Sequence, residues 1–149
     1  MALTDIYTTP SIAASLSTAG ATTGLIFGTA IDTTNRRDVG EGEDLYIDIY
    51  ITTAVTSAGA ATLGFNFVTA DDSALTTNLT VLYSTPVIAK ASLIAGYRFP
   101  VVELPKGVLY RRYMGFQQVI GTAALTAGKA TCALVMAPQN WRAYDDGIN

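Results

Sequence analysis

The segment Asp44-Leu45-Tyr46-Ile47-Asp48-Ile49-Tyr50-Ile51-Thr52 alternates without a break between aliphatic residues and polar or aromatic ones. Successive side chains on a strand point to opposite faces, so Leu45, Ile47, Ile49 and Ile51 share one face and Tyr46, Asp48, Tyr50 and Thr52 the other. A helix would scatter the four aliphatics around its axis. The spacing therefore predicts a β-strand with one face in a core. After a Ser57-Ala58-Gly59-Ala60 turn, Leu63, Phe65 and Phe67 alternate with Thr62, Gly64 and Asn66. That pattern reads as the return arm of a hairpin.

On the N-terminal side, Asn35-Arg36-Arg37-Asp38 and Gly40-Glu41-Gly42-Glu43 form a polar loop with backbone-permissive glycines. Before it, Gly24-Leu25-Ile26-Phe27-Gly28 reads as a short strand, and Ala13, Ala14 and Leu16 suit a short helical turn. On the C-terminal side, Leu79 to Tyr83 is a strand, and Pro86 to Ala89 is a short one suited to an edge. Tyr97 to Leu104 is interrupted by Pro100 and closed by Pro105-Lys106-Gly107. Tyr110 to Ile120 sets Tyr110, Arg112, Met114, Phe116, Gln118 and Ile120 on one face; Lys129 to Met136 sets Ala130, Cys132, Leu134 and Met136 on one face. Short strands at this spacing, with no long helical pattern, predict an all-β chain: an antiparallel β-sandwich or jelly roll with extended N- and C-terminal arms. The expected division is one domain over 1–149, with an arm at 1–21, the sandwich at 22–137 and a tail at 138–149.

Composition points the same way. Half of the 149 residues are hydrophobic. The chain holds 21 Thr and 22 Ala but only three Lys, whereas a helical bundle favours Leu, Glu and Lys. Charged residues make up 14%, against about 25% in an ordinary soluble domain. Together with a mean hydropathy of +0.33, this excludes a disordered chain. It also suits a molecule whose surface is partly covered by something else.

The absence of His removes Ser-His-Asp and Cys-His nucleophile systems, HExxH zinc sites and histidine general bases. One cysteine, Cys132, gives neither a disulfide framework nor a thiolate metal cluster, and reads as a small buried hydrophobe. A net charge of -3 and a pI near 4.7 argue against nucleic acid as a partner. No apolar run approaches the roughly 18 residues of a membrane span, and no signal peptide is read. Synthesis and folding in a reducing cytoplasm are expected.

The remaining candidates are binding residues. Arg36-Arg37 and Arg111-Arg112 are the basic pairs, and Glu41, Glu43, Asp44 and Asp48 form an acidic stretch suited to a basic partner. If Arg112 lies on a strand with Tyr110, Met114 and Phe116, it must sit at the strand end or pair with a carboxylate. Asp71-Asp72-Ser73 lacks a calcium-loop frame and reads as a solvated turn. The tail carries Trp141, Arg142 and Tyr144, residue types suited to docking on a neighbour, although Trp141 equally suits a plug at one end of the sandwich. No catalytic, cofactor or metal constellation is read, so the chain is expected to be a binding or structural module rather than an enzyme.

The stretch Arg37-Asp38-Val39-Gly40-Glu41-Gly42-Glu43-Asp44-Leu45-Tyr46-Ile47 resembles the strand entry of Bbp16-type capsid cement proteins of tailed bacteriophages. The likeness continues through Thr52-Thr53-Ala54-Val55-Thr56-Ser57-Ala58-Gly59-Ala60-Ala61-Thr62-Leu63. It returns in Leu125-Thr126-Ala127-Gly128-Lys129-Ala130 and in Ala133-Leu134-Val135-Met136-Ala137-Pro138-Gln139, and covers most of 22–139. The resemblance implies a jelly roll on the outside of a virion shell built from a major capsid protein of HK97 fold. It implies a non-enzymatic role at joints between capsid subunits and many copies that self-associate, a homodimer at local two-folds or else a trimer. The competing expectation is a receptor- or carbohydrate-binding jelly roll of a phage tail, with Tyr46, Tyr50 and Tyr97 stacking on sugars.

Overall fold

The computed structural model describes residues 10–16, 18, 20, 22–33 and 44–136. Among these described residues, nine strands follow in chain order: β1 (Ser11–Ser15), β2 (Thr22–Asp32), β3 (Tyr46–Thr56), β4 (Thr62–Ala70), β5 (Thr80–Ser84), β6 (Ile88–Ala89), β7 (Val102–Glu103), β8 (Tyr113–Gly121) and β9 (Ala127–Val135). A 3-10 turn at Lys90–Ser92 follows β6. All pairings are antiparallel. One sheet has the order β1-β9-β3-β7; the other has β2-β8-β4-β5, with β6 also on β4. Consecutive strands from β1 to β4 alternate between the sheets, as do β7, β8 and β9. This is the double-sheet order of a jelly roll, with β6 as an extra piece of edge.

Leu45, Ile47, Ile49 and Ile51 all face inward, the last three at 2% exposure or less. Opposite them stand Leu63, Phe65 and Phe67 of β4 and Phe116 of β8, each fully buried. Aromatic rings pack tilted or edge-on within the core: Phe27 to Phe65 at 5.3 Å, Phe65 to Phe99 at 5.6 Å and Phe67 to Phe116 at 5.1 Å. Such offsets are the favoured ring geometries and add to the gain from area burial.

Four expectations are corrected. First, β3 and β4 are not a hairpin. β3 pairs with β9 and β7, whereas β4 pairs with β8, β5 and β6. Alternation says which face is apolar, not which neighbour supplies hydrogen bonds, and two apolar faces satisfy each other as well across a core as side by side. The 57–61 segment is therefore an arch between layers. Ser57 Oγ donates to Ala124 O at 2.5 Å and Lys90 N donates to Ala61 O at 3.0 Å, which pins the arch to both sides.

Second, residues 11–15, assigned by sequence to an arm with a helical turn, form the edge strand β1 on β9. Ala13 sits at φ 44° and creates a bulge, which frees its N–H to donate to Thr131 Oγ1 at 2.9 Å. The approach of Pro10 explains Gly28: a Cβ there would stand 2.2 Å from Pro10 O, and its φ is +80°. Leu16 then closes the core at 4% exposure.

Third, the strand expected from Tyr110 starts only at Tyr113. Fourth, the stretch around Pro100 contributes only the two-residue β7 and an isolated bridge between Tyr50 and Arg98, since proline cannot donate to a ladder. The masses of apolar side chain on β8 and β9 fall as expected: Met114, Phe116, Ile120, Ala130, Cys132 and Leu134 all belong to the core. Burial raises the Cys132 thiol well above its ordinary pKa, so it is an inert filler. The tail at 138–149 lies outside the described residues.

The inward face of β3 sets a direct test. Ile49→Asp places a lone carboxylate among apolar neighbours at a cost of about 3 kcal/mol or more. Cooperative thermal unfolding followed by circular dichroism is expected to disappear in this variant. A soluble variant with an unchanged transition would mean that Ile49 does not face the core.

Candidate functional site

The strand registers gather several termini at one end of the sandwich. Asp32 and Ala70 both stand opposite Tyr113, and Tyr46 stands opposite both Val135 and Glu103. This end therefore carries the close of β2, β4, β7 and β9 and the start of β3, β5 and β8. A cavity of about 200 Å³ opens there, lined by Thr33, Leu104, Tyr110 and Met114.

Ion pairs rim this end. Arg112 holds Asp32 through Nη2–Oδ2 at 3.1 Å, with its guanidinium 4.9 Å above the Tyr113 ring. Arg111 holds Asp71 at 3.0 Å. Lys106 Nζ bridges Asp44 and Glu103, each at 2.6 Å. The Asp44 and Glu103 carboxylates raise the Lys106 ammonium pKa, and Asp32 raises that of Arg112. Because β8 begins after them, Arg111 and Arg112 are not bound by strand alternation, and each turns to its own carboxylate at the surface. Of the residues singled out by sequence, the described set thus brings Asp44, Arg111 and Arg112 to one end. Arg36, Arg37, Glu41, Glu43, Trp141, Arg142 and Tyr144 lie outside the described residues; Thr33, Asp44 and Met136, the described residues next to their segments, are at this end.

Two loops complete the surface. In the 71–79 loop, Asp72 accepts from Thr76 N at 2.9 Å and Thr77 N at 2.6 Å, and Asp71 accepts from Asn78 Nδ2 at 2.6 Å. Leu75 folds back across the outer face of the sheet at 1% exposure, against Val68, Ala70, Ala30 and Tyr113. Gly115 makes room for it, since a Cβ there would lie 2.7 Å from Leu75 Cδ1. Gln117 Nε2 donates to Leu75 O at 3.1 Å and secures the loop. In the 104–112 loop, the Tyr110 hydroxyl donates to Pro105 O, while Val108 and Leu109 stand exposed, Leu109 at 82%.

The sequence leaves no local trace of the pairs Arg112–Asp32, Arg111–Asp71 and Lys106–Asp44, whose members lie 80, 40 and 62 residues apart, whereas Lys106 and Glu103 stand three residues apart in a segment with no regular pattern to signal the pair. Val108-Leu109 was the readable sign: two aliphatics directly after Pro105-Lys106-Gly107 fit no strand pattern. Asp48, read as part of the acidic stretch, is instead buried against Arg98, whose Nε donates to Oδ1 at 2.7 Å. Tyr97 packs edge-on against Phe99 at 5.3 Å and is half-buried, so it does not form an open aromatic platform with Tyr46 and Tyr50. Among the described residues no group of three or more His, Cys, Asp or Glu could hold a metal ion. What the end offers chemically is contact: apolar side chains and a small cavity inside a rim of paired charges.

A protein-family model described as Bbp16 matches residues 14–134, from within β1 to the last turn of β9. The chain belongs to the Bbp16 family. Bbp16 is a phage-related family, and its match spans the two-sheet body of this chain. No curated protein matches the chain. The ion pairs at the rim come from β2, β7, the two loops and Asp44 just before β3, all within the matched span.

Asp72 gives a titration test. The N–H groups of Thr77 and Thr76 favour its charged form and hold its pKa at about 2, below the ordinary 3.8. The capped loop is therefore fully held above pH 3.8 and loosens as pH falls through about 2. The Asp72 carboxyl carbon is expected to titrate near 2 by NMR, with the Thr76 and Thr77 amides shifting alongside. A midpoint near the ordinary value would show that the caps do not form.

Proposed function

We propose that the chain is a capsid cement protein. It binds the outside of a shell of HK97-fold major capsid protein, at joints between subunits, and stiffens the head without performing a reaction. Membership of the Bbp16 family over residues 14–134 carries this reading. The surface chemistry supports it. A cement protein needs a stiff body and margins that lose little when covered. Here Arg111, Arg112 and Lys106 at the loop-rich end each hold a carboxylate in place, Lys106 holding two. Covering already-paired charges exposes no lone ion to desolvation, and the apolar Val108 and Leu109 gain by leaving water.

The mechanism is linkage. A protein that binds the assembled shell better than separated subunits adds its binding free energy to the resistance of the shell to opening. Each contact is allowed to be weak, because attachment on both sides of a joint gains through effective concentration. About 1–3 kcal/mol per joint, the usual size of a coupling energy, is multiplied over every joint of the shell.

Purified particles are expected to contain this chain in copy number comparable to that of the major capsid protein, measured by quantitative mass spectrometry. Particles stripped of it are expected to release DNA at lower temperature and under milder osmotic shock. A handful of copies, or equal resistance without it, rejects the cement role.

Removal of Trp141 onward separates attachment from folding. The truncated chain is expected to keep its unfolding transition and to bind stripped particles more weakly in a sedimentation assay. Unchanged binding would exclude the tail from the attachment surface.

A further inference from the structure

The cavity at the loop-rich end is lined for a particular kind of guest. It holds about 200 Å³ between Leu104, Tyr110, Met114 and Thr33. An apolar cavity of about 150 Å³ already takes a benzene ring. The Tyr110 hydroxyl is given to Pro105 O, so this residue offers its ring to the space. Met114 brings a thioether, a favoured neighbour of aromatic rings. Thr33 is the polar wall. Its hydroxyl donates to Arg112 O at 2.7 Å, and its oxygen keeps acceptor lone pairs. Apolar walls with one acceptor suit a flat apolar group that carries a single N–H.

The tail holds such a group within reach. β9 ends at Val135, which pairs with Tyr46, and Tyr46 pairs on its other side with Glu103. Continuing that register, Met136, Leu45 and Leu104 stand in one row, and Leu104 N donates to Leu45 O at 2.7 Å. Met136 and Leu104 are thus two strand spacings apart, about 10 Å. Trp141 lies five residues beyond Met136, a reach of at most about 17 Å. Its indole has one N–H donor and no acceptor. Arg142 follows it, and Lys106 alone faces two carboxylates, Asp44 and Glu103, so the rim has room for one more cation.

We infer that Trp141 folds back into this cavity of its own chain. The indole lies between Leu104, Tyr110 and Met114 with its N–H on Thr33 Oγ1, and Arg142 comes beside Asp44 and Glu103. The tail is thereby rooted at the loop-rich end, and the residues after Arg142 leave from a fixed point near Val108 and Leu109. The plug sits at the margin of the core, so the sandwich folds cooperatively without it.

Trp141 is the sole tryptophan, so the free full-length chain reports on it directly. Its fluorescence is expected to peak well to the blue of the urea-unfolded chain and to resist acrylamide quenching several-fold better, at every protein concentration. Leu104→Lys, which sets a charge in the cavity wall, is expected to return the peak to the unfolded position. Val87→Lys, an exposed site beside the far end of β4, is expected to leave it unchanged. Thermal unfolding followed by circular dichroism establishes that each variant is folded. Should Leu104→Lys fail to fold, the Met114 methyl resonance decides: the indole ring shifts it upfield, and Trp141→Ala moves it back. Four results overturn the assignment: a native peak at the unfolded position, a blue peak that survives in folded Leu104→Lys, a blue peak lost on dilution, as docking into a second copy requires, or a Met114 methyl indifferent to Trp141→Ala. The cement role is judged separately, on particles, and stands or falls without this result.

Discussion

The fold depends on the meeting of two apolar rows across the middle of the sandwich. Ile47, Ile49 and Ile51 come from a strand bonded to β9; Phe65 and Phe67 come from one bonded to β8. Neither sheet can bury its face alone, so each is stable only as the lid of the other. The other structural choices serve this contact. The 57–61 arch carries the chain from one layer to the other, Leu16 and Leu93 close the core, and the edge strands take whatever length remains.

How much of this was legible follows from what alternation encodes. The inward set on β3, β4, β8 and β9 was readable because each strand repeats its own pattern over several residues. The pairing of β3 was not, because β9 lies about 80 residues downstream and hydrogen bonding between backbones leaves no mark in side-chain identity. β1 was hidden for a different reason. Ser-Ile-Ala-Ala-Ser has no alternation, and its place is fixed by hydroxyl contacts, Ser11 with Cys132 N and Thr131 with Ala13 N. At the loop-rich end, Arg111 and Arg112 were visible as a pair, but the carboxylates that hold them, Asp71 and Asp32, come from separate elements that only the fold brings near.

Among the described residues, most charges are spent on the architecture of the domain itself. Arg98 and Asp48 tie the Tyr97–Phe99 segment to the outer face of β3, and Lys106 draws β7 toward the entry of β3. The exposed Lys106 pairs contribute little to stability. Their effect is on the character of the surface, which presents few uncompensated ions to a neighbour. A protein that must be laid against other proteins in many copies gains from that restraint, since repulsion between adjacent copies would accumulate with their number.

The latch formed by Leu75 has a consequence of its own. The 71–79 loop is held at its centre by a buried leucine in a Gly115 recess and at its shoulders by Asp71 and Asp72, so it has one shape before any partner arrives. Ordering a loose loop on contact consumes conformational entropy, commonly about 0.5–1.5 kcal/mol for each immobilised side chain. Here that loss was incurred when the domain folded, and a partner that touches Asn78 or Leu79 meets a surface already frozen into place.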